Sequence, residues 1–206
     1  VTDLYLASRS SRRRDLLKQI GVRFEPLLLR LAQPRGPDID EQLHTGESPA
    51  AYVERVAHAK AEFGLRVLAM RSMLVKPVLA ADTIVIVDGE LLGKPAGRTE
   101  SAAFLRRLAG RMHEVRTAVA LAFAGSGTPR ISVVTSTSQV RMREISDAEI
   151  TRYCATSEPY DKAGGYAIQG MAAIFIDRIE GSYSGVMGLP LAETAELLKQ
   201  GGMPVL

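Results

Sequence analysis

The chain has 206 residues, 46% of them apolar and 24% charged, enough for one large hydrophobic core or two small ones. A net charge of +3 is too small to point to a nucleic-acid or membrane partner, and no apolar stretch approaches the roughly 18 residues needed to span a bilayer. Cys154 is the single cysteine, which excludes an internal disulfide and fits a reducing, cytoplasmic compartment, while 5% aromatic content without tryptophan disfavours a base-stacking platform.

Leu4–Ala7 reads as a short buried strand, and because it precedes the basic cluster the N-terminus does not read as a signal peptide. It runs into Ser8-Arg9-Ser10-Ser11-Arg12-Arg13-Arg14, where Ser10 can cap a helix with apolar positions Leu16, Leu17 and Ile20 that stops at Gly21. A strand, a serine-rich turn and a helix start aim free backbone N–H groups at whatever lies above the strand end. Arginines in a first turn oppose the helix dipole, so Arg12 and Arg13 make sense with an anion among them. Arg14, and the whole cluster on the blander view, is a solvated basic face.

Phe24–Leu29 is expected to be a second strand. The polar stretch Ala32–Glu47 is a loop carrying the acidic cluster Asp38-Ile39-Asp40-Glu41, which could hold a hard divalent cation. Ser48-Pro49 opens a long helix to about Leu68, with Tyr52, Val53, Val56, Ala59 and Phe63 apolar. Lys60 stands beside that stripe, either as a functional cation or as a surface lysine with a buried stem.

Val78–Pro95, V-L-A-A-D-T-I-V-I-V-D-G-E-L-L-G-K-P, is the stretch around which the chemistry gathers. Asp82 and Thr83 interrupt a strand-forming run. Asp88-Gly89 then supplies a two-residue hairpin turn that returns Lys94 towards the level of Asp82. An acid in such a run must be paired, hydrated or metal-bound, or else it caps a neighbouring backbone. Downstream, the sequence predicts a helix from Thr99 to Gly110, strands His113–Ala124 and Ile131–Met142, and a helix opened by the capping box Ser146–Glu149. A glycine-rich polar loop follows at Glu158–Gly170, then a strand Ala172–Ile179, a loop Gly181–Gly188 and a closing helix Leu191–Lys199. This mixture argues for a single α/β domain spanning residues 1–206, with two lobes around a cleft.

There is no G-x-x-x-x-G-K-[ST], no G-x-G-x-x-G after a strand, no zinc-spaced His/Cys set and no G-x-S-x-G elbow. His44, His58 and His113 are scattered and read as surface or satisfied core residues. What remains is Arg12, Arg13, Lys60, Lys94 and Lys162 set against Glu41 and Asp82. Cations around a few carboxylates suit a polyanion that arrives with Mg²⁺, which is the composition of a hydrolytic phosphoryl or nucleotidyl site.

The segments L-Y-L-A-S-R-S-S-R-R-R, L-A-A-D-T-I-V-I-V-D-G-E-L-L-G-K-P, E-P-Y-D-K-A-G-G-Y-A-I-Q-G and G-S-Y-S-G-V-M-G-L-P-L-A-E-T, in this order over nearly the whole chain, resemble the Maf family of nucleoside triphosphate pyrophosphatases, also called septum formation inhibitor proteins. The resemblance implies an elongated mixed β-sheet flanked by helices, as in the inosine triphosphatases. It also implies a nucleoside triphosphate diphosphatase, dependent on a divalent cation (Mg²⁺ or Mn²⁺), that releases a nucleoside monophosphate and pyrophosphate, and a homodimer with neither nucleic acid nor membrane as partner. Asp82 matches the family's proton acceptor, and Glu41, or alternatively Asp40, the metal-side acid. Arg12, Thr83 and Gln169 match the positions that sort substrates, in the combination of the subgroup acting on dTTP and UTP. Ser8, Arg13, Lys60, Lys94 and Lys162 match polar positions of the family's substrate site. Ser11 stands where the family motif usually has proline. A regulator of cell division that binds nucleotide or protein without turnover is the alternative.

Overall fold

The computed structural model describes residues 3–29, 39–203 and 205. Along them run β1 (Leu4–Leu6), α1 (Ser11–Gln19), β2 (Phe24–Pro26), α2 (Pro49–Met70), β3 (Val78–Val87), β4 (Glu90–Leu92) and α3 (Arg98–Leu108). They continue with β5 (Met112–Phe123), β6 (Arg130–Met142), α4 (Asp147–Cys154), β7 (Ile176–Glu180), α5 (Tyr183–Met187) and α6 (Leu191–Gln200). The strands form a seven-stranded sheet of order β2-β1-β3-β5-β6-β7 with β4 paired to β3. It is mixed: β1 is parallel to β2 and β3, whereas β3–β4 and β6–β7 are antiparallel. This is the expected α/β architecture of a mixed sheet flanked by helices.

Two compact units make up the chain. The first comprises Val1–Asp82, Thr117–Thr135 and Gly188–Leu206, and the second Thr83–Arg116 and Ser136–Met187, so β3 passes from one to the other at the Asp82–Thr83 peptide. In the first unit Leu4 and Leu6 of β1, Leu17 of α1, Val53, Val56 and Ala57 of α2 and Leu79 of β3 are fully buried. In the second a separate core packs Val85, Val87 and Leu92 with Leu105, Leu108, Val140, Met142, Tyr153 and Phe175.

Where local chemistry dictates structure, the expectations hold. Ser10 Oγ accepts from Arg13 N, so α1 begins at Ser11 even without a proline there. Ser48 caps α2 with Pro49 in its first turn, and the Ser146–Glu149 capping box opens α4. Asp88 and Gly89 both adopt positive φ, 54° and 78°, as a type I′ turn requires, and Val87 pairs with Glu90 across it.

Three expectations need correction. The strand from Phe24 is shorter and stops at Pro26, although Leu27 N still donates to Leu6 O and Leu27 and Leu29 stay buried. Residues Met171–Phe175 form a 3-10 turn, not strand, because the Glu158 carboxylate accepts from Met171 N and Ala172 N and Ala173 N donates to Gly170 O, leaving only Ile176–Glu180 for β7. The expected loop Gly181–Gly188 contains α5, nucleated where Ser182 Oγ accepts from Gly185 N at 3.0 Å. Asp38 and the Arg30–Asp38 part of the polar loop lie outside the described residues. Among the described residues no helix is long and apolar enough to cross a membrane.

Candidate active site

Six of the expected residues belong to the first unit. Tyr5 lies opposite Val78 and Leu6 opposite Leu79, so β1 ends beside the start of β3, three residues before Asp82. Leaving β1, the buried Ser8 accepts at Oγ from Ser10 N at 3.2 Å and from Arg13 Nη1 at 3.4 Å. Arg13 also donates from Nε to Gly188 O at 2.7 Å, which ties the start of α1 to the segment before α6. Burial lowers the pKa of this guanidinium, the Asp82 and Glu41 carboxylates raise it and neighbouring Arg12 lowers it. Arg12 and Arg14 are half-buried on the same helix.

On β3, Asp82 meets Lys60. Lys60 Nζ lies 2.9 Å from Asp82 Oδ1 and 3.1 Å from Glu41 Oε1, so two carboxylates converge on one ammonium. The Lys60 and Asp82 side chains are 14% and 15% exposed, Glu41 41%. Lys60 comes from α2 at positions i+4 and i+8 of Val56 and Tyr52, so its stem follows the buried stripe while its head reaches the acids. Of the two acids open at the metal-side position, Glu41 faces Lys60. Asp40 turns away, its carboxylate taking Gln42 N at 2.9 Å and pairing with His44 Nε2 at 3.0 Å.

The donor set fits a cation delivered with its substrate. Among the described residues no group of three His, Cys, Asp or Glu side chains could hold a metal ion. Asp82 and Glu41, each using one oxygen on Lys60, leave further lone pairs, and Mg²⁺ is commonly held by one or two carboxylates plus phosphate oxygens and water.

The other four expected residues belong to the second unit. Thr83 follows Asp82 on β3 and is half-buried. Leu92, the last residue of β4, pairs with Val85, and Lys94 follows two residues beyond it. Lys94 and Gln169 are exposed. Lys162 Nζ donates to Glu158 O at 2.7 Å and pairs with Asp161. The loop that carries Lys162 and Gln169 docks on the hairpin through Gly164 N, which donates to Gly93 O at 3.0 Å, one residue from Lys94. Only glycine serves at 164, where φ is +69° and a Cβ would stand 2.9 Å from Val85 Cγ2.

Sequence reasoning missed the residues that carry the Glu41 loop. Tyr52 was expected as one more apolar position, yet its hydroxyl donates to Glu41 O at 2.9 Å. Its pKa is pushed up to about 12 by burial and by the Asp82 and Glu41 charges, which keeps it a donor. Arg55 and Glu47 pair nearby, holding the Glu47 carboxyl down at about 2. The signal was present in part, since a tyrosine in a buried stripe needs a partner for its hydroxyl.

The sequence pattern of the Maf family, described as Maf-like protein, matches residues 3–201. A protein of Nitrosomonas europaea named dTTP/UTP pyrophosphatase is 53% identical over 202 residues, covering 98% of this chain and 96% of the relative. Proteins of the same name from Nitrosospira multiformis and Aromatoleum aromaticum are each 52% identical, covering 98% of this chain and 96% and 97% of themselves.

Proposed function

Because the chain belongs to the Maf family, and because Asp82 and Glu41 converge on Lys60 beside Arg13, we propose that it hydrolyses dTTP and UTP, and modified pyrimidine triphosphates of the same shape, to the monophosphate and pyrophosphate. Support for the substrate comes from relatives of about half identity that carry the name dTTP/UTP pyrophosphatase. The observation that carries the chemistry is the carboxylate pair around the Lys60 ammonium.

In this reading Asp82 orients a water against the α-phosphorus and takes its proton as the new P–O bond forms and the bridging bond to the β-phosphate breaks. Arg12, Arg13 and the start of α1 bind phosphate oxygens, with Ser8 fixing the Arg13 guanidinium. Lys60 holds the two acids in place before substrate arrives. Lys94 and Lys162 neutralise charge on the departing pyrophosphate. Asp82 and Glu41 would hold a divalent cation, Mg²⁺ or Mn²⁺, which supplies charge neutralisation on the triphosphate when bound. Gln169, supported by Thr83, reads the base: its amide can accept from the N3–H of uracil or thymine and donate to an adjacent carbonyl. We place the protein in the cytoplasm as a homodimer, with the nucleotide as its small-molecule partner and no role for nucleic acid or membrane.

The test is product analysis with UTP, dTTP, CTP and GTP at saturating Mg²⁺ in ¹⁸O-labelled water. UMP carrying the label, together with unlabelled pyrophosphate, is expected. Tight UTP binding without turnover would instead support a nucleotide-binding regulator of cell division, and label in pyrophosphate would move the attack to the β-phosphorus.

A further inference from the structure

The loop bearing Glu41 contains no regular helix or strand between Asp40 and Glu47, yet its carboxylate must meet Lys60 within hydrogen-bond distance. What holds it is one face of α2. Arg55 Nη1 donates to Asp40 O at 3.0 Å, Tyr52 donates from its hydroxyl to Glu41 O at 2.9 Å, and Arg55 Nη2 donates to Gln42 O at 2.8 Å. Three successive carbonyls, centred on Glu41, are thus gripped by two side chains one helical turn apart. Glu47, at the far end of the loop, accepts from Arg55 Nε at 2.6 Å and Nη2 at 2.9 Å, and its carboxylate also accepts from His44 N at 3.1 Å, which closes the loop on itself. The guanidinium lies 5.5 Å from the centre of the Tyr52 ring, so the two grips brace each other.

We infer that Arg55, acting with Tyr52, is a positioning residue that sets the Glu41 carboxylate for its role at the substrate's divalent cation. This rests on the proposed reading of Glu41 as the metal-side acid. A guanidinium is suited to the task because its planar fork serves two carbonyls and a carboxylate at once, which an ammonium cannot. Residues that only orient a metal-binding side chain typically contribute 10–100-fold to metal affinity or activity.

The discriminating readout is the gain in affinity that Mg²⁺ confers on α,β-methylene-UTP, measured calorimetrically with and without the cation for wild type, Glu41→Gln, Arg55→Lys, Arg55→Ala, Tyr52→Phe and Glu41→Gln/Arg55→Lys. Arg55→Lys and Tyr52→Phe keep the charge and the buried ring, so the test stands even if Arg55→Ala does not fold. Expected is a loss of at least about tenfold in the Mg²⁺-dependent gain for Arg55→Lys, with Tyr52→Phe in between. Affinity without Mg²⁺ should be unchanged, and the double variant should be no worse than Glu41→Gln. If Glu41→Gln loses the gain while both α2 variants keep it, the inference fails and the reading of Glu41 survives. If the α2 variants lose affinity equally with and without Mg²⁺, their role is structural only and the inference fails. If Glu41→Gln binds as wild type does, the metal-side reading of Glu41 fails and takes the inference with it.

Discussion

Asp82 on β3 and His113 on β5 are both ionisable side chains set into apolar strands, and their surroundings make opposite use of them. Asp82 faces an ammonium at 2.9 Å with a second carboxylate beside it, and its side chain keeps 15% exposure. His113 is 3% exposed, its Nε2 lies 2.7 Å from the Tyr166 hydroxyl, the rings meet edge to face, and Nδ1 has no hydrogen-bond partner among the described residues. Burial drives the His113 pKa down to about 4. The first faces a counter-charge and belongs to the proposed site, and the second is a buried packing element. An ionisable residue in a strand therefore points to chemistry only when folding supplies a counter-charge and a path to solvent.

The largest effect should separate the two regions outright. Asp82→Asn removes the proposed proton acceptor and cation ligand while keeping shape, so kcat for UTP should fall by about 10²–10⁴-fold. Its thermal unfolding should stay close to wild type. Near-wild-type turnover by the folded variant would make Asp82 as inert as His113.

Whether the second unit contributes more than packing is tested at Gln169. Glutamate there can only accept, which repels the pyrimidine carbonyl while matching the adjacent donors of guanine. Gln169→Glu should lower kcat/KM for UTP by about 10²-fold and shift the UTP-to-GTP ratio towards GTP. An unmoved ratio, measured at matched Mg²⁺, removes Gln169 from base recognition.

The basic cluster of α1 offers a finer contrast within one helix. Arg13→Ala, or Arg12→Ala, should weaken kcat/KM by about 1.5–3 kcal/mol, the scale of a lost charge-assisted hydrogen bond. Arg14→Ala should change little. Equal, small losses at all three would restore the solvated-face explanation.

His113 gives an effect on stability, not on catalysis, and it concerns pH. Its folded pKa of about 4 lies below the unfolded value of 6.5, so the unfolded chain takes up the proton first as pH falls. Stability is therefore lost from pH 6.5 downward and levels off for this group below about 4, amounting to about 2 kcal/mol between pH 7 and pH 5. Urea midpoints at the two pH values should show that difference shrinking in His113→Phe. An equal drop in both proteins would mean that His113 is not the buried neutral group responsible.

Much of the fold was legible because it is written in short-range chemistry. The Asp88-Gly89 turn, the Ser146–Glu149 capping box and the Ser48-Pro49 helix start each involve groups within a few residues of one another, and the structure has all three. The strand expected at Ala172 failed because Glu158, 13 and 14 residues upstream, takes the backbone N–H groups of Met171 and Ala172. β-branched and aromatic content cannot report a capture of that kind. Helix α5 was hidden for the opposite reason, since the Ser182 cap that starts it is local but sits among glycines.

The site divides along the same line. By itself the sequence determined which groups exist and what they can do: a strand-borne Asp82, an arginine-rich helix start, acids in a polar loop, a lysine beside an apolar stripe. Only the tertiary structure decided who faces whom. Lys60 meets Asp82 across 22 residues and Arg13 meets Gly188 O across 175. Glu41 rather than Asp40 turns to the lysine because Tyr52 and Arg55 seize the loop's carbonyls while His44 and Gln42 N take the Asp40 carboxylate. Such contacts form when burial of β1, β3, α1 and α2 brings distant segments together. The free energy that places them is the hydrophobic packing of the whole unit, not any preference of the residues that touch.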